Sequence, residues 1–179
     1  MYSAVRVAHL ASAPVKRKST MNSADGIILL VEDDRDEVFL IQRAFQKADM
    51  KNPLQVLRDG EEAIDYLSRF GALAGEPSHS PEPALMLLDL KMPRKTGFEV
   101  LAWLRQQPNL KRMIVIVLTS SNQPVDINHA YDLRANSYLV KPADFAQLIE
   151  MVKNVKNYWL THNQKPDTHV NFDKITATA

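Results

Sequence analysis

Ile27-Ile28-Leu29-Leu30-Val31-Glu32-Asp33-Asp34 is the stretch that decides the fold. Five apolar residues in a row lack the alternation of a half-exposed strand. They fit a strand covered on both faces, as in a parallel sheet sandwiched between helices. Three carboxylates then stop the run. Reading outward, Asp36 to Asp49 has Val38, Ile41 and Phe45 at helical spacing. Asn52-Pro53 breaks the chain. Leu54 to Arg58 alternates as a second strand, and Asp59-Gly60 punctuates it. Glu61 to Phe70 reads as a second helix with Ile64 and Leu67 inward.

Strands and helices go on alternating downstream, without an internal sequence repeat. After a Gly-, Pro- and Ser-rich loop over 71–83, Ala84 to Leu88 is a third apolar strand, stopped by Asp89. Phe98 to Gln107 is a third helix and Ile114 to Leu118 a fourth strand, stopped by Thr119-Ser120-Ser121. Asp126 to Arg134 is a fourth helix. Ser137 to Val140 is a fifth strand, stopped by Lys141-Pro142, and Asp144 to about His162 is a long fifth helix. Five strands alternating with five helices give an α/β doubly wound parallel sheet. Right-handed crossovers put helices on both of its faces.

Composition narrows the function. The 179 residues carry 22 Lys plus Arg against 21 Asp plus Glu, a net charge of +1, which argues against a broad nucleic-acid surface. With no cysteine there is no disulfide framework, thiol nucleophile or thiolate metal site. No apolar run approaches the roughly 20 residues that span a bilayer. Val5 to Ala13 is mildly apolar and ends in Ala11-Ser12-Ala13, but Arg6 and His9 interrupt it. The basic run Lys16-Arg17-Lys18 follows it, where a signal peptide would have its charge in front. Residues 1–25 therefore read as a disordered leader, 26–162 as the domain and 163–179 as a flexible tail. The five histidines are scattered, without metal-ligand spacing.

In an open parallel sheet, ligands bind outside the carboxyl ends of the strands. Strand one ends in Glu32 and Asp33, strand three in Asp89, strand four in Thr119 and Ser120, and strand five in Lys141. With a strand order of 2-1-3-4-5, the flavodoxin-like arrangement, these ends converge on one cleft. Clustered carboxylates repel one another unless a cation intervenes. Oxygen ligands suit a hard divalent ion, and Mg²⁺ takes one or two carboxylates, waters and a phosphate oxygen. Lys141 offers a compact positive charge and Thr119 a hydroxyl, so Asp89 is equipped to accept a phosphoryl group. Asp34 and Asp36 fit a helix start, where a carboxylate meets the positive end of the helix dipole.

The strings VEDD (31–34), LLDLKMPRKTG (87–97), VLTSS (117–121) and YLVKP (138–142) resemble the receiver domain of bacterial two-component response regulators. The resemblance covers about residues 26 to 162. It implies Asp89 as phosphoacceptor from a sensor histidine kinase, and Glu32 and Asp33 as the acidic pair, with Asp33 the direct Mg²⁺ ligand. It implies that Lys91 coordinates Mg²⁺ through its backbone carbonyl. Thr119 and Tyr138 match the switch hydroxyl and switch aromatic, and Lys141 the phosphate-pairing lysine, followed by a proline commonly in cis. Relatives often carry Asn at the Lys91 position, so the lysine bears on phosphoryl lifetime. The run EDDRDEVFLIQRAF, the Pro-rich loop and AYDLRANSYLVKP further resemble the regulators paired with bacterial and cyanobacterial phytochromes.

In the last helix, Phe145, Leu148, Val152, Val155 and Trp159 form one stripe facing the sheet, and Ile149, Met151, Tyr158 and Leu160 fall outside it. A helix apolar on more than one face needs a second partner. The expectation is a cytoplasmic homodimer through the fourth and fifth helices and fifth strand. Too little chain follows Lys141 for a winged-helix DNA-binding domain, so no DNA partner is expected; without a bilayer-spanning apolar run, no membrane partner is expected either. Two other readings stand beside the phosphoacceptor. One is a receiver-fold scaffold that is never phosphorylated. The other is an aspartyl-phosphate hydrolase of the haloacid dehalogenase type, which wants an Asp where Lys91 stands.

Overall fold

A computed structural model of the chain describes residues 26–72 and 83–164. The expected leader, most of the 71–83 loop and the tail from 165 lie outside the described residues. The strands are β1 (Ile27–Val31), β2 (Leu54–Leu57), β3 (Pro83–Leu88), β4 (Val115–Thr119) and β5 (Ser137–Val140). The helices are α1 (Arg35–Lys47), α2 (Gly60–Ala72), α3 (Gly97–Gln106), α4 (Pro124–Asp132) and α5 (Phe145–Val155). A π-helical segment, Lys156–His162, continues α5. All strands are parallel, in the order β2-β1-β3-β4-β5.

The unbroken apolar run of β1 serves two cores. Ile27, Leu29 and Val31 pack on one face of the sheet with Leu67 of α2 and Leu101 and Leu104 of α3. Ile28 and Leu30 pack on the other with Val38 and Phe45 of α1 and Leu148 and Val152 of α5. Each fully buried aliphatic side chain contributes about 1.5–3 kcal/mol, so both layers hold the central strands in place.

Local chemistry sets the helix starts. Asp34 caps α1, accepting from the backbone N–H groups of Asp36 at 2.8 Å and Glu37 at 3.2 Å. Thr96 and Glu99 form a reciprocal capping box on α3. The fourth helix starts two residues before the expected Asp126, because Pro124 is tolerated in a first turn that needs no N–H.

The end of α5 corrects the expected stripe. Leu148, Val152 and Val155 are buried as expected, but so is Leu160, placed outside the stripe by an α-helical count. Trp159 is only half-buried. The π-helical turn is the reason: its wider winding brings residue i+5 onto the face that i+4 would occupy. Ile149 and Met151 pack half-buried against the same core, whereas Tyr158 is 57% exposed.

Candidate phosphoacceptor site

The carboxyl ends of β1, β3 and β5 meet in one cleft. Parallel pairing fixes this: the Asp89 N–H donates to the Val31 carbonyl at 3.0 Å, and the Lys141 N–H to the Thr119 carbonyl at 2.8 Å. Asp89 and Glu32 are buried, and Asp33 is exposed at the mouth. One carboxylate oxygen from each of the three lies within 4.8 Å of the others, which a single hard cation can bridge.

Lys141 reaches into this cluster. Its ammonium donates to Glu32 Oε2 at 2.5 Å and stands 3.4 Å from Asp89 Oδ1. It also donates to Glu37 Oε2. The second Asp89 oxygen accepts from the Lys91 N–H at 2.9 Å, so both oxygens of Asp89 are oriented by the residues expected around them. Burial pushes the Glu32 carboxyl up to about 7, against the pull of Lys141 and with the help of the Asp89 and Glu37 charges. Burial alone would lower the Lys141 ammonium. The hydrogen bonds to Glu32 and Glu37 and the Asp89 charge outweigh it and hold the lysine above its ordinary range.

The floor of the cleft is tight. A Cβ on Gly97 would stand 2.1 Å from the Asp89 carbonyl oxygen, so only glycine lets α3 start directly beneath Asp89. Thr119 closes β4 and is fully buried. Tyr138 lies on β5 opposite Val117, and its hydroxyl donates to the Ser121 carbonyl at 3.0 Å. Burial raises the Tyr138 hydroxyl; the Ser121 bond opposes this, and the Asp126 and Asp89 charges reinforce it. Ser121 in turn donates to Asp126 Oδ2 at 2.5 Å, which ties the β4–α4 turn to the first turn of α4.

The structure thus brings Glu32, Asp33, Asp89 and Lys141 together, joins Lys91 to Asp89, and sets Thr119 and Tyr138 on the adjoining strands. Asp34 caps a helix, as its position suggested. The described residues contain no cis peptide bond, so Lys141–Pro142 is trans, where the resemblance makes cis common. Trans is the intrinsically favoured isomer even before proline. The residue the sequence reading passed over is Glu37. An acid in a first helical turn already satisfies the helix dipole, and nothing local signals its link to a lysine at the far end of the domain.

Comparison with known proteins agrees with this geometry. The family model described as the response regulator receiver domain matches residues 28–153. The response regulator Rcp1 of a Synechocystis species is 40% identical over 134 residues, covering 75% of this chain and 88% of its own. A probable methanogenesis regulatory protein of Methanothrix harundinacea, FilR2, is 39% identical over 140 residues, covering 78% of this chain and 87% of its own. The crystal structure of the phosphorylated cyanobacterial phytochrome response regulator RcpA superposes with a TM-score of 0.69 at 39% identity, covering 80% of this chain and 99% of that one. The Mn²⁺-bound form of Rcp1 does so with a TM-score of 0.67 at 39% identity, covering 79% and 99%. A match that runs from β1 into α5 takes in every strand end described above, and the chain belongs to the response regulator receiver family, the proteins of phosphorylation-based two-component signalling.

Proposed function

We propose that Asp89 accepts a phosphoryl group from the phosphohistidine of a sensor histidine kinase. The observation that carries this reading is the placement of Asp89 between the Lys141 ammonium and the Lys91 N–H, beside two further carboxylates. In the transfer, a carboxylate oxygen of Asp89 attacks phosphorus. The new P–O bond forms as the P–N bond breaks, and the imidazole nitrogen leaves with the electron pair and takes a proton from water. Lys141 faces the oxygens on which charge gathers, where a fixed cation stabilises the transition state.

Glu32, Asp33 and Asp89, with the Lys91 carbonyl, would hold Mg²⁺, and this donor set fits because it is all oxygen and closely spaced. A bound Mg²⁺ neutralises charge on the phosphoryl oxygens. Thr119 and Tyr138 are the switch pair: the Thr119 hydroxyl donates to the phosphoryl oxygen and Tyr138 follows inward. Asp89→Asn tests the core of this reading. Acetyl phosphate with Mg²⁺ should label the wild type by mass spectrometry and leave Asp89→Asn unlabelled; an unlabelled wild type supports a scaffold. Turnover of varied phosphomonoesters would instead indicate a hydrolase.

The upstream kinase is of the phytochrome type, supported by the likeness to RcpA and Rcp1. A kinase tied to another input is the second reading, favoured by the near-equal identity of the Methanothrix harundinacea relative. Phosphotransfer profiling against both kinds of kinase separates them. The output face is α4-β5-α5, through which two copies associate. A groove of about 800 Å³ lies there, lined by Val140, Met151, Tyr158 and Trp159 among others, and Val140 and Tyr158 are exposed. The domain works in the cytoplasm, where ATP supplies the kinase. No described helix is long and apolar enough to cross a membrane.

A further inference from the structure

We propose that Glu37 is a positioning residue that draws Lys141 away from Asp89 and so weakens the phosphorylated form. This rests on the reading of Asp89 as phosphoacceptor. Glu37 lies in the first turn of α1, where its own N–H is held by Asp34 Oδ1 at 3.2 Å. Its carboxylate bonds the Lys141 ammonium from α1, outside the strand ends that carry Glu32 and Asp89. Lys141 is only 12% exposed and has three carboxylates around it. Two of them, on Glu32 and Glu37, are hydrogen-bonded, and Asp89 is the most distant at 3.4 Å.

An ammonium has three N–H donors and one position. Every hydrogen bond to Glu37 holds it toward α1, and pairing with a phosphoryl group on Asp89 requires it to lean toward β3. Glu37 also keeps a negative charge beside a site that must take on a phosphoryl dianion. Glu32 cannot play the same part, because it sits in the metal-binding cluster and any change there alters metal affinity. Glu37 lies outside that cluster and 36% exposed at its side chain, so it tunes the lysine from the rim.

The test is the affinity of beryllofluoride, a phosphoryl analogue, measured by calorimetry at saturating Mg²⁺ on the full chain. Glu37→Gln should bind about fivefold more tightly than wild type, the size of a partly exposed ion pair. Glu37→Ala, which keeps the helix, should gain similarly. The gain should vanish when Lys141→Ala is the background, because it acts through the lysine. An unchanged or weaker affinity in Glu37→Gln overturns the proposal, and so does a gain that persists without Lys141. Wild type that binds no beryllofluoride overturns the phosphoacceptor reading along with it, whereas equal binding by wild type and Glu37→Gln overturns the Glu37 proposal alone.

Discussion

At the carboxyl end of β2 the chain is tightly packed. Asp59 is 1% exposed, its Oδ1 accepts from the Glu62 N–H at 2.9 Å to cap α2, and its Oδ2 pairs with the Arg94 guanidinium on the β3–α3 turn. Gly60 presses against that turn so closely that a Cβ would stand 2.4 Å from the Lys95 carbonyl oxygen. At the β5 edge the chain is open. Val140 is 40% exposed, Tyr138 is half-buried with one hydroxyl bond, and a groove follows along α5. The carboxyl end of β2 is therefore tightly held, and that of β5 is exposed. Tight backbone contacts suit a segment that holds the cleft, and an exposed one leaves room for side chains to move.

The contrast predicts different consequences on the two sides. Gly60→Ala should cost about 2–3 kcal/mol in chemical denaturation, since the obstructing atom is a backbone carbonyl that cannot swing aside. An unaltered denaturation midpoint would show that the β2 border is not tight. Asp59→Ala should cost about 1–2 kcal/mol, mostly the lost cap, because Arg94 is 59% exposed and tolerates losing its partner. Val140→Lys should leave stability within about 0.5 kcal/mol. On the proposed association through α4-β5-α5, it should weaken self-association about tenfold or more by sedimentation; an unaltered sedimentation profile would overturn that face. Tyr138→Phe should cost about 1 kcal/mol or less by denaturation, the net value of one hydrogen bond.

Most of the fold was legible because β1, β3 and β4 are apolar without alternation, and such runs have few places to go except the middle of a parallel sheet. The cleft was legible for the same reason: polar residues that end those strands must lie on one side of the sheet. What escaped the sequence depends on how elements far apart in the chain pack. The Glu37–Lys141 pair joins residues more than a hundred positions apart, and the Asp59–Arg94 pair joins two turns. Neither has a local pattern. Leu160 was misplaced because a helical count assumes 3.6 residues per turn, and the π-helical segment departs from that.

That segment leaves Val155 and Leu160 five residues apart on one buried face, where an α-helix would need four. The segment therefore holds one residue more between those two positions than an α-helical turn would. Shortening the segment between them by one residue restores the ordinary winding and keeps Leu160 inward. A deletion between Leu148 and Val152 instead rotates everything beyond it by about 100° and turns Val152 and Val155 out of the core. The end of the last helix thus accommodates a one-residue deletion that its middle does not.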